Sequence, residues 1–168
     1  IHTSGSADLK ILKKASKNYG VLYPLQTFSK NKAVNFSTIP VFYEGSNQKT
    51  EKVLETIAKS LSKKNYHIDS EKRKKLHLAA VFANNFSNHM YTLAAKLLED
   101  SGLKFELLIP LISETANKIK VIPPQKAQTG PAIRNDEKIL KKHLGMLKKD
   151  KTLKKIYKLI SKEIRKFN

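Results

Sequence analysis

All of the strand signals in this sequence lie in its first seventy residues. One short apolar run passes through Val21 and Leu22 and ends at Pro24, and a second, in "STIPVFYEGS", ends at Gly45. The amphipathic segment "QKTEKVLETIAKSLSKK" separates the second run from a last short one in "NYHIDS". Because strands that alternate with helices favour a parallel layer, we predict an α/β fold with a partial, Rossmann-like parallel sheet.

From Ser70 onward the sequence has only helical periodicity. The segment from Ser70 to Gly102 predicts one long helix with Ser70 as a possible N-cap and Gly102 as its C-terminal stop. A second helix begins or bends at Pro110, the segment "VIPPQKAQTGPAIRND" predicts a loop, and one or two helices follow. We therefore place a domain boundary near residues 69–72, with an α/β part at 1–69 and an all-helical part at 70–168.

The long helix combines an apolar surface with a polar stripe. Apolar residues between Leu76 and Phe86 cover nearly its whole circumference, which predicts burial inside the domain or at a subunit interface. His77, Asn84 and Asn88 fall within roughly 40° of one another on an α-helix. Buried amides and imidazoles need partners, so the stripe indicates either a structural hydrogen-bond network or a cleft wall that orients a polar substrate. The two interpretations are compatible.

The net charge of +19 suggests nucleic acid as a possible partner. Only three of the 33 basic residues are arginine, however, namely Arg73, Arg134 and Arg165, and scattered lysine is more typical of solvated helix faces. Tyr157 and Phe167 follow the apolar stripe of the last helix, which predicts core positions rather than exposed stacking platforms. Nucleic-acid binding or scaffolding by the lysine-rich C-terminal helices is therefore kept as an alternative.

The composition excludes several kinds of site. Cysteine is absent, so the chain has no disulfide, thiolate nucleophile or cysteine-ligated metal, and its five histidines lack metal-ligand spacing. No P-loop, G-x-G-x-x-G or Ser-His-Asp pattern is present. The longest apolar stretch is too short to span a bilayer and no signal-peptide core is seen, so we expect a soluble cytoplasmic protein. Since Ile1 is not methionine, we also expect a preceding part of the polypeptide.

Four segments together resemble a bacterial family: "HTSGS", "YPLQTFSK", "HLAAVFANNFSNHMYTLA", and "AQTGPAIRND" followed by "KKHLGML". Its members have a Rossmann-like NAD(P)-binding domain followed by a helical domain of unassigned substrate. They are similar in layout to pyrroline-5-carboxylate reductase and to deazaflavin-dependent NADP oxidoreductases. The resemblance implies that residues 1–69 are the second half of the nucleotide-binding domain. It also implies that residues 70–168 are a helical domain of the 6-phosphogluconate-dehydrogenase C-terminal type, often dimeric.

The resemblance further implies a site at an interdomain cleft that holds NADP or NAD and a small polar substrate. His77, Asn84 and Asn88 would face this cleft from the long helix. Among them His77 is the candidate proton donor, because imidazole is the side chain suited to proton transfer near neutral pH, and the asparagines would orient the substrate. The other implied residues are, for the cofactor, Thr3, Ser4, Gly5 and Pro24, and, for the substrate, Gln26, Phe28, Asn85, Thr129 and Gly130. Tyr23 stands where relatives have histidine, and Asn135 stands where they have glycine, so a left-handed turn is expected at Asn135 before Asp136 caps the next helix. A non-catalytic dimerisation module is the other alternative.

Overall fold

The computed structural model describes residues 1–99 and 101–167. The chain forms two compact units, Ile1–Asn88 and His89–Asn168. Every strand of the described residues lies in the first unit, and the last one ends at His67. The last described strand thus ends before residue 69, the division into compact units lies further along the chain, and the domain assignment at 69–72 stays a prediction.

The first unit contains a three-stranded mixed sheet in the order β1 (Gly20–Pro24), β2 (Val41–Gly45) and β3 (Asn65–His67). Strands β2 and β3 are parallel, as predicted, but β1 and β2 are antiparallel. The connections between the strands explain this difference. Helix α1 (Gln48–Leu61) returns the chain across the sheet between β2 and β3, so these two strands run in the same direction. The 16 residues between β1 and β2 (25–40) contain a 3₁₀ turn but no α-helix that would carry the chain back across the sheet, and the two strands pair antiparallel, so the all-parallel prediction is wrong for this pair.

The segment around His2 extends this sheet on the far side of β1. His2 forms a parallel bridge with Val21, its N–H donates to the carbonyl of Gly20 at 3.1 Å, and its carbonyl accepts from the N–H of Leu22 at 3.0 Å. The Ser/Gly segment that follows therefore leaves the sheet directly from His2.

The core of the first unit lies between the sheet and α1. The apolar face of α1 buries Leu54 and Ala58 against Val41 and Tyr43 of β2. Asn47 caps the helix, since its side chain accepts a hydrogen bond from the N–H of Thr50 at 2.9 Å. This packing fixes the sheet, and with it the C-terminal end of β1.

The chain is helical without a break from Ser70 to Glu99. It comprises α2 (Ser70–Ala80), a π-helical segment (Val81–Phe86) and α3 (Ser87–Glu99). The N-cap is Asp69 and not Ser70 as predicted, because the Asp69 carboxylate accepts from the N–H of Lys72 at 2.7 Å. The Ser70 hydroxyl instead donates to Glu44, at 2.8 Å.

The predicted burial of this helix is wrong for its most apolar residues. Leu78, Phe82 and Phe86 are exposed by 60%, 62% and 49% of their surface. Phe82 and Phe86 contact each other edge to face, with ring centroids 4.9 Å apart. Periodicity shows which residues share a helix face but cannot show that another element of the same chain covers it. The alternative of a subunit interface stays a prediction.

The second unit consists of helices. Its described α-helices are the part of α3 from His89 onward, α4 (Ile109–Lys118), the short α5 (Pro124–Ala127), α6 (Glu137–Met146) and α7 (Lys151–Lys166). Pro110 lies in the first turn of α4, as predicted, where its missing N–H costs nothing. Nδ1 of His143 on α6 lies 2.8 Å from the hydroxyl of Tyr157 on α7. Phe167 is 64% exposed, so its predicted core position is wrong, because it lies beyond the last turn of α7.

Two residues with left-handed backbone shape the loop before α6. Gly130 has a φ of 105° and Asn135 a φ of 53°. The Asp136 side chain then accepts from the N–H of Ile139 at 3.1 Å and caps the helix. The predicted left-handed turn and cap are confirmed, and asparagine adopts this conformation more readily than most other residues. The left-handed Gly102, with a φ of 66°, similarly follows the end of α3.

Within the described ranges, no helix is long and apolar enough to cross a membrane.

Candidate functional site

A cavity of about 420 Å³ opens in the first unit between the C-terminal end of β1 and one face of the long helix. The β1 side contributes Tyr23 and the residues that follow Pro24, and the helix contributes residues from α2 and from the π-helical segment. The lining residues are Tyr23, Leu25, Gln26, Thr27, Leu76, His77, Ala79, Ala80, Ala83, Asn84 and Asn85. The ends of β-strands in α/β folds are common ligand sites, so this location suits a substrate.

His77 and Tyr23 form a hydrogen-bonded pair in the wall of this cavity. The Tyr23 hydroxyl lies 3.1 Å from Nδ1 of His77, and the two rings pack edge to face with centroids 6.0 Å apart. Burial raises the pKa of Tyr23, although the positive charge of Arg73 partly opposes this shift. Tyr23 is therefore protonated at neutral pH and can donate to an imidazole nitrogen.

Gly5 packs directly against this pair. A Cβ atom at position 5 would lie 2.5 Å from Nδ1 of His77 and 2.9 Å from Cζ of Tyr23, closer than side-chain contacts allow. Only glycine therefore lets the turn after His2 lie so close to the imidazole. The Nδ1 edge of His77 is enclosed by Gly5 on one side and by Tyr23 on the other.

Arg73 anchors the same turn from within the helix. Its side chain is completely buried, and its Nη1 donates to the carbonyls of Ser4 at 2.7 Å and Ala7 at 2.8 Å. Its Nη2 donates to the Ser70 hydroxyl at 2.9 Å and lies 3.3 Å from the Glu44 carboxylate. A buried guanidinium with these partners anchors the turn, because moving the turn away would leave its buried N–H donors without acceptors.

Hydrogen bonds within the turn add to this order. Nδ1 of His2 accepts from the N–H of Ser4 at 3.2 Å, and the Ser4 hydroxyl accepts from the N–H of Ala7 at 3.0 Å. Burial, and then the charge of Arg73, lower the pKa of His2, so its neutral form is favoured. The neutral form is also the one that can accept from Ser4.

The structure brings together most of the predicted residues of the first unit. His77, Gln26, Asn84 and Asn85 line the cavity, with both asparagines largely exposed at its edge. Gly5 touches His77, and Thr3 and Ser4 belong to the turn that holds Gly5. Pro24 lies in the chain between two lining residues.

Other predicted residues lie elsewhere. Phe28 is half-exposed and stacks on Phe36 with ring centroids 6.0 Å apart, and Asn88 is exposed; neither is among the lining residues. Thr129 and Gly130 belong to the second unit, where Thr129 lines a separate apolar groove of about 290 Å³ formed with residues of α3 and α7. Their predicted role with the substrate stays a prediction.

The π-helical segment explains why Asn85 lines the cavity and Asn88 does not. A π turn holds one residue more than an α turn, so the residues within and after it are rotated about the axis relative to an uninterrupted α-helix. The predicted stripe of His77, Asn84 and Asn88 assumes α-helical spacing throughout. The wider turn at Val81–Phe86 instead moves Asn85 toward the side of His77.

Sequence reasoning missed two residues of the site. The resemblance, which implies histidine at position 23, argues against a role for the Tyr23 side chain, yet its hydroxyl lies 3.1 Å from Nδ1 of His77. Arg73 enters the sequence argument only as part of the overall charge. One signal could have revealed it, since Arg73 is the only arginine among the first 133 residues of a lysine-rich chain and precedes His77 by one helical turn.

Comparison with known proteins relates this chain to a described family. A family model described as "Domain of unknown function (DUF2520)" matches residues 39–164. No protein with a curated function matches the chain.

Two solved structures resemble the chain along nearly its whole length. A Bacteroides fragilis protein described as a "putative NADP oxidoreductase" is 48% identical and superposes with a TM-score of 0.95, over 98% of this chain and 64% of its own. A Thermotoga maritima protein is 28% identical with a TM-score of 0.84, over 99% of this chain and 67% of its own. The chain thus spans about two thirds of the length of either protein, and it shares their fold.

Proposed function

Because this chain belongs to the family described as "Domain of unknown function (DUF2520)", we propose that it is the C-terminal part of an NADP-dependent oxidoreductase that acts on a small polar substrate. The similar Bacteroides fragilis protein, described as a "putative NADP oxidoreductase", supports the cofactor class. The single observation that carries the proposal is the Tyr23–His77 pair in the wall of a substrate-sized cavity.

In this proposal His77 is the proton donor. When His77 is neutral, the Tyr23 hydroxyl can donate to Nδ1 and leave the ring proton on Nε2. As a general acid His77 acts as the imidazolium, whose Nδ1–H is directed at the Tyr23 oxygen and whose Nε2–H is transferred to the substrate, leaving the neutral ring. Nδ1 is enclosed by Gly5 and Tyr23, which leaves Nε2 as the nitrogen for a substrate oxygen or nitrogen. General acid catalysis of this kind contributes about 10²–10⁴-fold to the rate.

The residues of this chain fit one end of the cofactor. The ordered turn at Thr3, Ser4 and Gly5, with Pro24 close by in the chain, would border the nicotinamide, and the cofactor when bound supplies the hydride. The sequence contains no glycine-rich turn for the pyrophosphate, so no residue of this chain is assigned to that part of the cofactor.

The amides at the cavity edge would orient the substrate. Gln26, Asn84 and Asn85 each offer both a donor and an acceptor, and they flank the His77 ring from two elements. Phe28, Asn88, Thr129 and Gly130 are kept as predicted contacts of the substrate or its surroundings. The assignment of residues 70–168 to a helical domain of the 6-phosphogluconate-dehydrogenase C-terminal type is likewise a prediction.

A homodimer through the helical part is also proposed. The α4 region exposes several large apolar side chains, among them Leu107, Ile109 and Leu111, with exposed fractions of 64%, 48% and 64%. Exposed apolar patches of this kind mark contact surfaces. Sedimentation of the full-length protein and of its Leu111→Lys variant tests this, and a wild-type monomer at micromolar concentration contradicts it.

The proposed catalytic role is tested by NADPH oxidation with candidate carbonyl and imine substrates, using the full-length protein. His77→Ala should lower kcat by at least about a hundredfold, whereas His89→Ala, at an exposed position of α3, should retain wild-type turnover. Binding of NADPH, followed by its fluorescence, should be similar in all three proteins. Equal turnover by the His77→Ala variant would remove His77 from the mechanism.

A further inference from the structure

The cavity beside His77 is lined by eleven residues, none of which is aspartate, glutamate, lysine or arginine. This absence contrasts with the rest of the chain, where 33 of 168 residues are basic and 14 acidic. We propose that the cavity selects an uncharged substrate, one with an apolar body and a single amide-like or carbonyl-like polar group. This inference rests on the proposed function in one respect, since it takes this cavity as the substrate-binding site.

The walls of the cavity suit an apolar body. Leu25 comes from the β1 side, and the helix contributes Leu76 and three alanines, Ala79, Ala80 and Ala83. The small alanine side chains leave room between the helix and the end of β1, so the volume of about 420 Å³ is bounded largely by carbon atoms. Such walls favour apolar ligand groups, because the transfer of these groups from water into an apolar environment lowers the free energy.

The polar groups of the cavity are neutral and bifunctional. Gln26, Asn84 and Asn85 each carry an amide, and Thr27 carries a hydroxyl, so every one of them can donate or accept a hydrogen bond. These groups match a carbonyl, an amide or an imine. They supply no full charge that would replace the hydration of a carboxylate or phosphate.

The guanidinium one helical turn before His77 is not available to an anion. Arg73 is completely buried, its Nη1 donates to the Ser4 and Ala7 carbonyls, and its Nη2 lies 3.3 Å from the Glu44 carboxylate. His77 is the one lining side chain that can become positively charged, and Tyr23 occupies its Nδ1. The net charge of +19 attracts anions to the surface in general, but the cavity itself offers them no fixed cation.

A pair of compounds that differ in charge and little else tests the proposal. Phenylacetamide and phenylacetate have the same ring and nearly the same shape. Each is titrated into the isotope-labelled full-length protein while the backbone amide signals of Ala79, Ala80 and Ala83 are followed by NMR. We expect the amide to bind with a Kd at least about tenfold lower than that of the carboxylate.

Two variants and one control locate the binding. Ala80→Leu fills the cavity and should weaken phenylacetamide binding at least about fivefold, whereas Ala116→Leu, on an exposed face of α4, should leave it unchanged. His77→Gln removes the one group that could become cationic, and it should keep the preference for the amide. Because the titration requires neither cofactor nor turnover, its result can be interpreted even if the oxidoreductase assay shows no activity.

Three results would overturn the proposal. The first is phenylacetate binding at these alanines as tightly as the amide, and the second is an amide affinity that Ala80→Leu does not change. The third is failure of both compounds to shift these signals at their solubility limits.

Discussion

The Tyr23 hydroxyl lies 3.1 Å from Nδ1 of His77, although the two residues are 54 positions apart in the sequence. The contact joins the end of β1 to the first half of the long helix. It also sets the orientation of the imidazole ring, whose Nδ1 edge is directed at Tyr23 and Gly5. Burial raises the pKa of Tyr23 and keeps its hydroxyl protonated, so Tyr23 can orient the imidazole without adding a charge of its own to the cavity.

Replacing Tyr23 with phenylalanine should release this orientation. Loss of one partly buried hydrogen bond should lower the free energy of unfolding by about 0.5–1.5 kcal/mol. In long-range ¹H–¹⁵N spectra the wild-type His77 should show an unprotonated Nδ1 and a protonated Nε2, and the variant a mixture of tautomers. Tyr66→Phe, at a half-exposed tyrosine of β3, is the matched control and should leave the His77 signals unchanged. Identical His77 spectra in Tyr23→Phe and wild type would contradict the orienting role.

Adding one methyl group at Gly5 should displace His77. The new Cβ would lie 2.5 Å from Nδ1 of that ring, so either the turn or the imidazole must move. Gly5→Ala is therefore expected to lower the free energy of unfolding by about 1–3 kcal/mol, as measured by urea denaturation. Gly145→Ala provides the comparison, since a Cβ added to this glycine of α6 would meet nothing within 4 Å, and it should be neutral or stabilising by up to about 1 kcal/mol. A Gly5→Ala protein as stable as wild type would show that the close approach is not required.

Truncating Arg73 should destabilise the first unit more than any surface change. Arg73→Ala leaves the Ser4 and Ala7 carbonyls without their donor and Glu44 without its cation. Breaking a buried pair in this way costs about 3–5 kcal/mol in the free energy of unfolding. Arg134→Ala, at an exposed arginine, should change it by less than about 0.5 kcal/mol. If both variants unfold at the same urea concentration, Arg73 does not anchor the turn.

His2 should make stability depend on pH. Burial and the charge of Arg73 lower its pKa in the folded state below the ordinary value of 6.5, so the unfolded state binds more protons as pH falls. The stabilising contribution is therefore complete above pH 6.5 and is lost as pH falls through the folded-state pKa. His2→Gln should reduce the loss of stability between about pH 7 and pH 5 in urea unfolding experiments.

Loss of the hydrogen bond from Ser4 could also change the stability of His2→Gln. The free energy of unfolding at about pH 8 isolates that contribution, because the side chain at position 2 is neutral in both proteins there. An equal loss of stability on acidification in both proteins would exclude His2 as the source.

The sequence by itself determined the local features of this protein. Pro24 and Gly45 end β1 and β2, apolar spacing defines α1 and the long helix, and Asp136 caps α6 as predicted. Asn135 adopts the expected left-handed conformation. These features depend on interactions within a few residues, which is the range over which propensity, periodicity and capping act.

Tertiary structure decided the rest. The antiparallel pairing of β1 with β2, the burial of Arg73 against the Ser4 carbonyl, and the Tyr23–His77 contact each join residues well separated in the chain. The π-helical segment that brings Asn85 to the cavity depends on geometry that α-helical periodicity does not encode. Such contacts form only when long loops close and packing repays the entropy of closing them, and no local pattern in the sequence specifies which pair of residues will meet.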